Sequence, residues 1–201
     1  MNRIALTIAA FGTLTLAACA TAPGPVEVTR FVAPESVSRL GQGTIFVAGA
    51  EGQSGDSLAL VPYKSAVAAQ LRSLGYTETD RASASQVATV ALERYVQTAQ
   101  GQRYPVTVGV GGRTGSYGSG VGVGIGINLG GGERDRLGSE LSVTIRDASS
   151  QANLWEGRAD LRVPDNSPLA QAQANAQTLA AALFSEFPGN NGETIEVEVP
   201  K

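Results

Sequence analysis

The chain has no histidine, a single cysteine and only two lysines, Lys64 and Lys201. One thiol excludes an internal disulfide and a multi-cysteine metal site, and histidine ligands are absent. Aromatic residues make up only 5% of the 201 positions, whereas apolar residues make up 42%, enough to build a core. The net charge of −3 leaves no basic excess, and the positive charge is almost all scattered arginine. A nucleic-acid footprint needs clustered cationic residues, so a nucleic-acid partner is not expected. The apolar run Ile4 to Leu16 falls short of the roughly 17–25 residues that span a bilayer.

That short run is itself informative. "MNR" gives a positive start, "IALTIAAFGTLTL" an uncharged apolar stretch, and "LAAC" (Leu16 to Cys19) follows. The order is that of a secretory signal with small residues before its cleavage point. "LAAC" resembles the lipobox of bacterial lipoproteins. The resemblance implies a lipoprotein signal peptide over 1–18, a diacylglyceryl thioether on Cys19, cleavage before it and acylation (palmitate or a similar chain) of the new N-terminus. Lipidation of that thiol would leave none free for catalysis. One acyl chain holds a protein to a membrane only marginally; two or more hold it stably. Ala20, rather than Asp, follows the cysteine, which in enteric lipoproteins directs the protein to the outer membrane, facing the periplasm. The alternative is an ordinary signal cleaved elsewhere, with Cys19 an incidental thiol. Residues 19–27 read as a lipidated N-terminus and tether, since Pro and Gly oppose regular structure.

The rest, 28–201, reads as one α+β domain. Strands are expected at Val28 to Ala33, Gly43 to Glu51 and Gln86 to Gln97. In "LVPYKSAVAAQLRSLGY", Tyr63, Val67, Leu71 and Leu74 recur on one helical face, with Pro62 near the start and Gly75 at the stop. "ELSVTIRD" and "LWEGRADLRV" alternate most clearly and predict an antiparallel hairpin with one buried and one charged face. That charged face is either a solvated ion-pair ladder or a recognition surface. Ser167 and Pro168 open a second helix with Leu169, Ala172, Ala176, Leu179, Leu183 and Phe187 on its buried stripe. "ETIEVEV" closes the chain as an edge strand guarded by glutamates. The expected fold is two-layered, a mainly antiparallel sheet with two helices packed on one face.

The glycine-rich stretch, Ser116 to Glu133, is not a phosphate loop. A dinucleotide fingerprint needs glycines at n, n+2 and n+5; the n+5 positions here are Thr114, Val123, Ile125, Ile127, Leu129 and Asp135. No lysine stands near enough for a Walker loop. Val121, Val123, Ile125, Ile127 and Leu129 alternate with Gly120, Gly122, Gly124, Gly126 and Asn128, a strand period. A Gly-rich β-hairpin insertion over 104–132 is expected, as a partner-docking edge, a membrane contact or a variable element without a role.

"LRSLGY", the insertion, "DASSQANLWEGRA" and "LFSEFPG" occur in the order found in the bacterial lipoproteins catalogued as domain of unknown function 4136. The chain resembles that family over Val28 to Val199, as a divergent member lacking its early F-x-x-Y-x-T-Y phrase. The family has no established activity, so no catalytic residue carries over. Asp147, Trp155 and Gly157 correspond to fold markers, with Gly157 leaving room beside the Trp155 ring. The first functional expectation is a non-enzymatic envelope lipoprotein, membrane-bound through Cys19, that meets an envelope protein or glycan and carries no cofactor or metal. The second is a small-ligand or lipid-binding module with an apolar pocket at Tyr63 or Tyr76. The third is a hydrolase using carboxylates such as Asp56, Asp80 and Glu93.

Overall fold

The alternating segments come together in one mixed sheet. A computed structural model describes residues 23–51, 57–106 and 136–199. The strands are β1 (Val26–Val32), β2 (Thr44–Gly49), β3 (Thr77–Glu78), β4 (Gln86–Gln97), β5 (Arg103–Pro105), β6 (Arg136–Asp147), β7 (Asn153–Val163) and β8 (Glu193–Val197). The helices are α1 (Val61–Ser73) and α2 (Ala172–Leu183). Strand order is β3-β2-β4-β6-β7-β1-β8, with β5 pairing with the distal end of β4. Antiparallel pairing dominates. β2 alone pairs in parallel, with β3 and β4, because α1 carries the chain back between them.

Both helices lie on one face of the sheet, over a core fed by alternate strand positions. Leu141, Val143 and Ile145 of β6 and Trp155, Ala159, Leu161 and Val163 of β7 are buried there, as their alternation requires. Tyr63, Val67 and Leu71 of α1 are fully enclosed, and Leu74 packs at the margin. Gly75 ends the helix at φ +107°, where a Cβ would meet the Gly41 carbonyl oxygen at 2.5 Å. β8 is an edge strand, and Glu196 and Glu198 are exposed along it.

The second helix departs from expectation at its start. Ser167 caps a separate 3-10 turn, Pro168–Ala170, by accepting the Leu169 N–H, and the chain is extended at Gln171 before α2 begins. The carbonyls that would continue a helix are taken by side chains: Asn175 Nδ2 donates to Leu169 O at 3.0 Å and Arg94 to Ala170 O at 3.0 Å. Asn175, not Ala172, therefore sits in the buried stripe, and Ala172 and Phe187 are only half-buried.

β1 and β4 place their ends so that one end of the molecule gathers the chain's entry and several loops. Val26 pairs with Val197, and Glu27 stands opposite Asp160, which stands opposite Glu140 and then Glu93. Both helices start at this end, and Gln97 and Arg136 form the last β4–β6 pair there. Tyr104 to Val106 apart, the expected Gly-rich hairpin lies outside the described residues, as does Cys19.

Candidate functional site

The three fold markers are placed at two corners at the other end of the molecule. Asp147 ends β6 and closes the β6–β7 turn: its carboxylate accepts the Ser149 N–H at 3.0 Å, the Ser150 N–H at 2.8 Å and both serine hydroxyls. Arg39 adds an ion pair. The Ser149 and Ser150 hydrogen bonds, aided by Arg39, hold this carboxyl well below the usual carboxylate range. Trp155 lies over Gly157, where a Cβ would sit 2.3 Å from the indole Cη2. The ring stacks on Phe184 at 5.4 Å, meets Phe187 at 5.2 Å, and donates its N–H to Pro188 O at 2.9 Å. The "W-x-G" and "FPG" phrases are thus two sides of one contact.

Beside it, Arg30 is buried in the core, on the inward register that it shares with Val26, Val28 and Val32. Its guanidinium donates to Leu183 O, Ala182 O and Ser185 Oγ at 3.1–3.3 Å, closing the carbonyl end of α2. Burial lowers its pKa, against the opposing pull of Glu186 and Glu193.

Tyr63 and Tyr76, named above as possible pocket residues, are core residues. Tyr63 donates to Asn175 Oδ1 at 2.8 Å and Tyr76 to Gln86 Oε1 at 3.2 Å. Burial raises both phenols, with Arg94 opposing the rise at Tyr63. The expected carboxylates do not converge. Asp56 lies outside the described residues. Asp80 accepts from Ser83 in the turn before β4, and Glu93 stands in the distal half of that strand. Neither lines the cleft or the trough described below.

The face opposite the helices carries the side chains that could recognise something, and no described element covers it. Near the chain's entry, Tyr95 lies across Gly138, where a Cβ would fall 2.1 Å from the ring. The hydroxyl reaches two strands over to donate to Asp160 Oδ2 at 2.5 Å. Arg162 Nε donates to Asp160 Oδ1 at 2.6 Å and to the Tyr95 hydroxyl at 3.3 Å, and Arg162 also pairs with Glu27 at 3.2 Å. Arg103 covers the ring at 4.6 Å and approaches Asp160 at 3.8 Å. Burial, followed by the hydrogen bond to Asp160, pushes the Tyr95 phenol up to about 12. Burial also raises Glu140, with Asp160 and Glu93 adding to the effect. Burial opposes the charge on Arg162, but its bonds to Tyr95 and Asp160 outweigh that and raise its pKa.

A cleft of about 320 Å³ opens beside this network, between Gly24 and Pro25 of the entering chain, Gln97, Arg136, Arg162 and Glu196. Farther along the same face is a trough of about 670 Å³. Its floor is short side chains (Val87, Thr89, Ala91, Ser142, Thr144), and Arg81 and Arg146 stand at its sides. Tyr95 was legible only as part of a strand, and nothing in the sequence marked it or Arg103 as partners of Asp160. The arrangement suits hydrogen bonding to a polar partner. Asp160 accepts hydrogen bonds from Tyr95 and Arg162 and stands in an ion pair with Arg103.

No curated protein matches the chain. Among solved structures it is similar to the PelC dodecamer from Paraburkholderia phytofirmans, at 13% identity and a TM-score of 0.43, over 80% of this chain and 95% of that one. It is also similar to a PDZ domain protein from Parabacteroides distasonis, at 11% identity and a TM-score of 0.46, over 87% of this chain and 39% of that one. Residues 31–189 match the family described as a domain of unknown function, DUF4136, and the chain belongs to that family.

Proposed function

We propose that the protein is a lipid-anchored bacterial envelope lipoprotein, held at the outer membrane through Cys19, that binds a polar envelope partner without catalysing a reaction on it. The observation that carries the anchor is "LAAC" directly after an apolar run of signal-peptide length, with the fold beginning at Val26 shortly beyond. The sheet face that no described element covers supports the binding role: its trough is floored by small polar and apolar side chains and flanked by arginines, a surface on which another chain can lie close to the sheet. Its charged groups are mostly tied to one another, which suits recognition better than turnover.

The test is photo-crosslinking in intact cells from Thr144 on the open face and from Ala181 on the helix face. The proposal requires a discrete adduct from Thr144 and none of the same mass from Ala181. Adducts from both positions alike, or from neither, would remove the open face as the binding surface.

A further inference from the structure

We infer that the anchored protein stands end-on on the bilayer, with Leu58, Val61 and Tyr104 in contact with the lipid interface. This rests on the lipoprotein reading of Cys19. Large apolar side chains are strongly exposed at two separate places. Phe31 (46%) and Val37 (48%) lie at the end of β1 and in the 3-10 turn that follows it. Leu58 (82%), Val61 (49%) and Tyr104 (53%) lie at the start of α1 and in β5.

The tether decides which set meets the membrane. Gly24 lines the cleft together with Gln97 and Arg136, so the chain joins the fold at the end where β4 finishes. From Cys19 to Gly24 the chain reaches at most about 18 Å even when fully extended. From Gln97 back to Thr89, the level of Phe31 through Thr144 and Glu156, β4 runs about 26 Å, and to Gln86, the level of Asp147 and the far corner, about 36 Å. The tether therefore cannot stand the molecule on its Phe31 and Val37 end while Cys19 is embedded.

The same geometry places the start of α1 near the surface. Tyr63, in its first turn, feels the charge of Arg94, and Arg94 is within three residues of the end of β4. Leu58 precedes that turn and Val61 opens it, and Tyr104 pairs with Val96 near the end of β4. Charge at this end is mixed: Lys64, Arg103 and Arg136 stand against Asp165, Glu196 and Glu198. The contact is accordingly apolar rather than electrostatic, and raised salt leaves it in place.

The experiment uses the full chain, expressed with its signal peptide and purified with its acyl groups, in phosphatidylethanolamine–phosphatidylglycerol vesicles carrying doxyl-labelled lipid. Leu58→Cys and Val37→Cys variants each receive a small fluorophore; both positions are exposed, and the thiol of Cys19 is occupied by lipid. The expected result is quenching at position 58 several-fold stronger than at position 37, unchanged by added salt. An acylated chain whose probe at 58 is quenched no more than that at 37 overturns the orientation and leaves the anchor standing. A chain whose intact mass shows no acyl groups, and which does not float with the vesicles, overturns both.

Discussion

Gly157→Ala is a one-methyl change with a cost that the packing around Trp155 sets. The added Cβ would lie 2.3 Å from the indole Cη2, 2.8 Å from Cζ2 and 2.8 Å from Leu183 Cδ1. Ordinary contact needs about a further ångström, and the ring has nowhere to give it. Moving away from the sheet drives it into Phe184 and Phe187; sliding sideways breaks the 2.9 Å bond to Pro188 O. Overpacking of this kind costs about 1–3 kcal/mol. Losing the indole hydrogen bond adds about 1 kcal/mol. A destabilisation of about 2–4 kcal/mol follows, a large share of the roughly 5–15 kcal/mol available to a domain. The assay is urea unfolding followed by the emission of Trp155, the only tryptophan, which reports on its own displacement. Gly24→Ala is the control, since a Cβ there meets nothing within 4 Å and should change stability by no more than about 0.5 kcal/mol. If Gly157→Ala matches that control and leaves the emission spectrum unchanged, the ring is not seated over Gly157 and the reasoning fails.

Arg30→Lys should cost about 1–3 kcal/mol in the same assay, because an ammonium cannot reproduce the fork that reaches Ala182 O, Leu183 O and Ser185 Oγ together. Tyr95→Phe should change the alkaline limb of the stability profile. A phenol held at about 12 when folded, against an ordinary value of about 10, stabilises fully below about 10 and loses that contribution as pH rises through about 12. The variant should lack that part of the loss, read from urea midpoints across the range. Asp147→Ala should act at the acid end: its lowered pKa contributes stability above the ordinary carboxylate range, which is lost as pH falls below it. Urea midpoints should show a smaller acid-side decline in the variant than in the parent.

The strongly periodic segments were legible because burial on one face imposes the period. β4, β6, β7 and the stripe of α1 fall where alternation or 3.6-residue spacing puts them, and Gly157 serves the ring as expected. What escaped the sequence depends on contacts between distant segments. Arg30 shares the inward register of Val28 and Val32, but the carbonyls of α2 that receive its guanidinium come from a segment about 150 residues away. The break at Gln171 arises because Asn175 and Arg94 take the carbonyls of Leu169 and Ala170. Nothing in the sequence showed that the Tyr63 and Tyr76 hydroxyls each meet a buried side-chain amide, Asn175 and Gln86, from another element. Tyr95 gave no signal, since its role needs Gly138 beneath it and Asp160 two strands away. The two-residue β3 and three-residue β5 are too short to carry a period at all.

The most direct measurement is of Cys19. Cells grown with labelled palmitate should incorporate label into the parent protein and pellet it with outer membranes, whereas Cys19→Ser should carry no label and leave the membrane fraction. Equal labelling and equal fractionation of the two proteins would contradict the anchor, and with it the orientation and the envelope role built upon it.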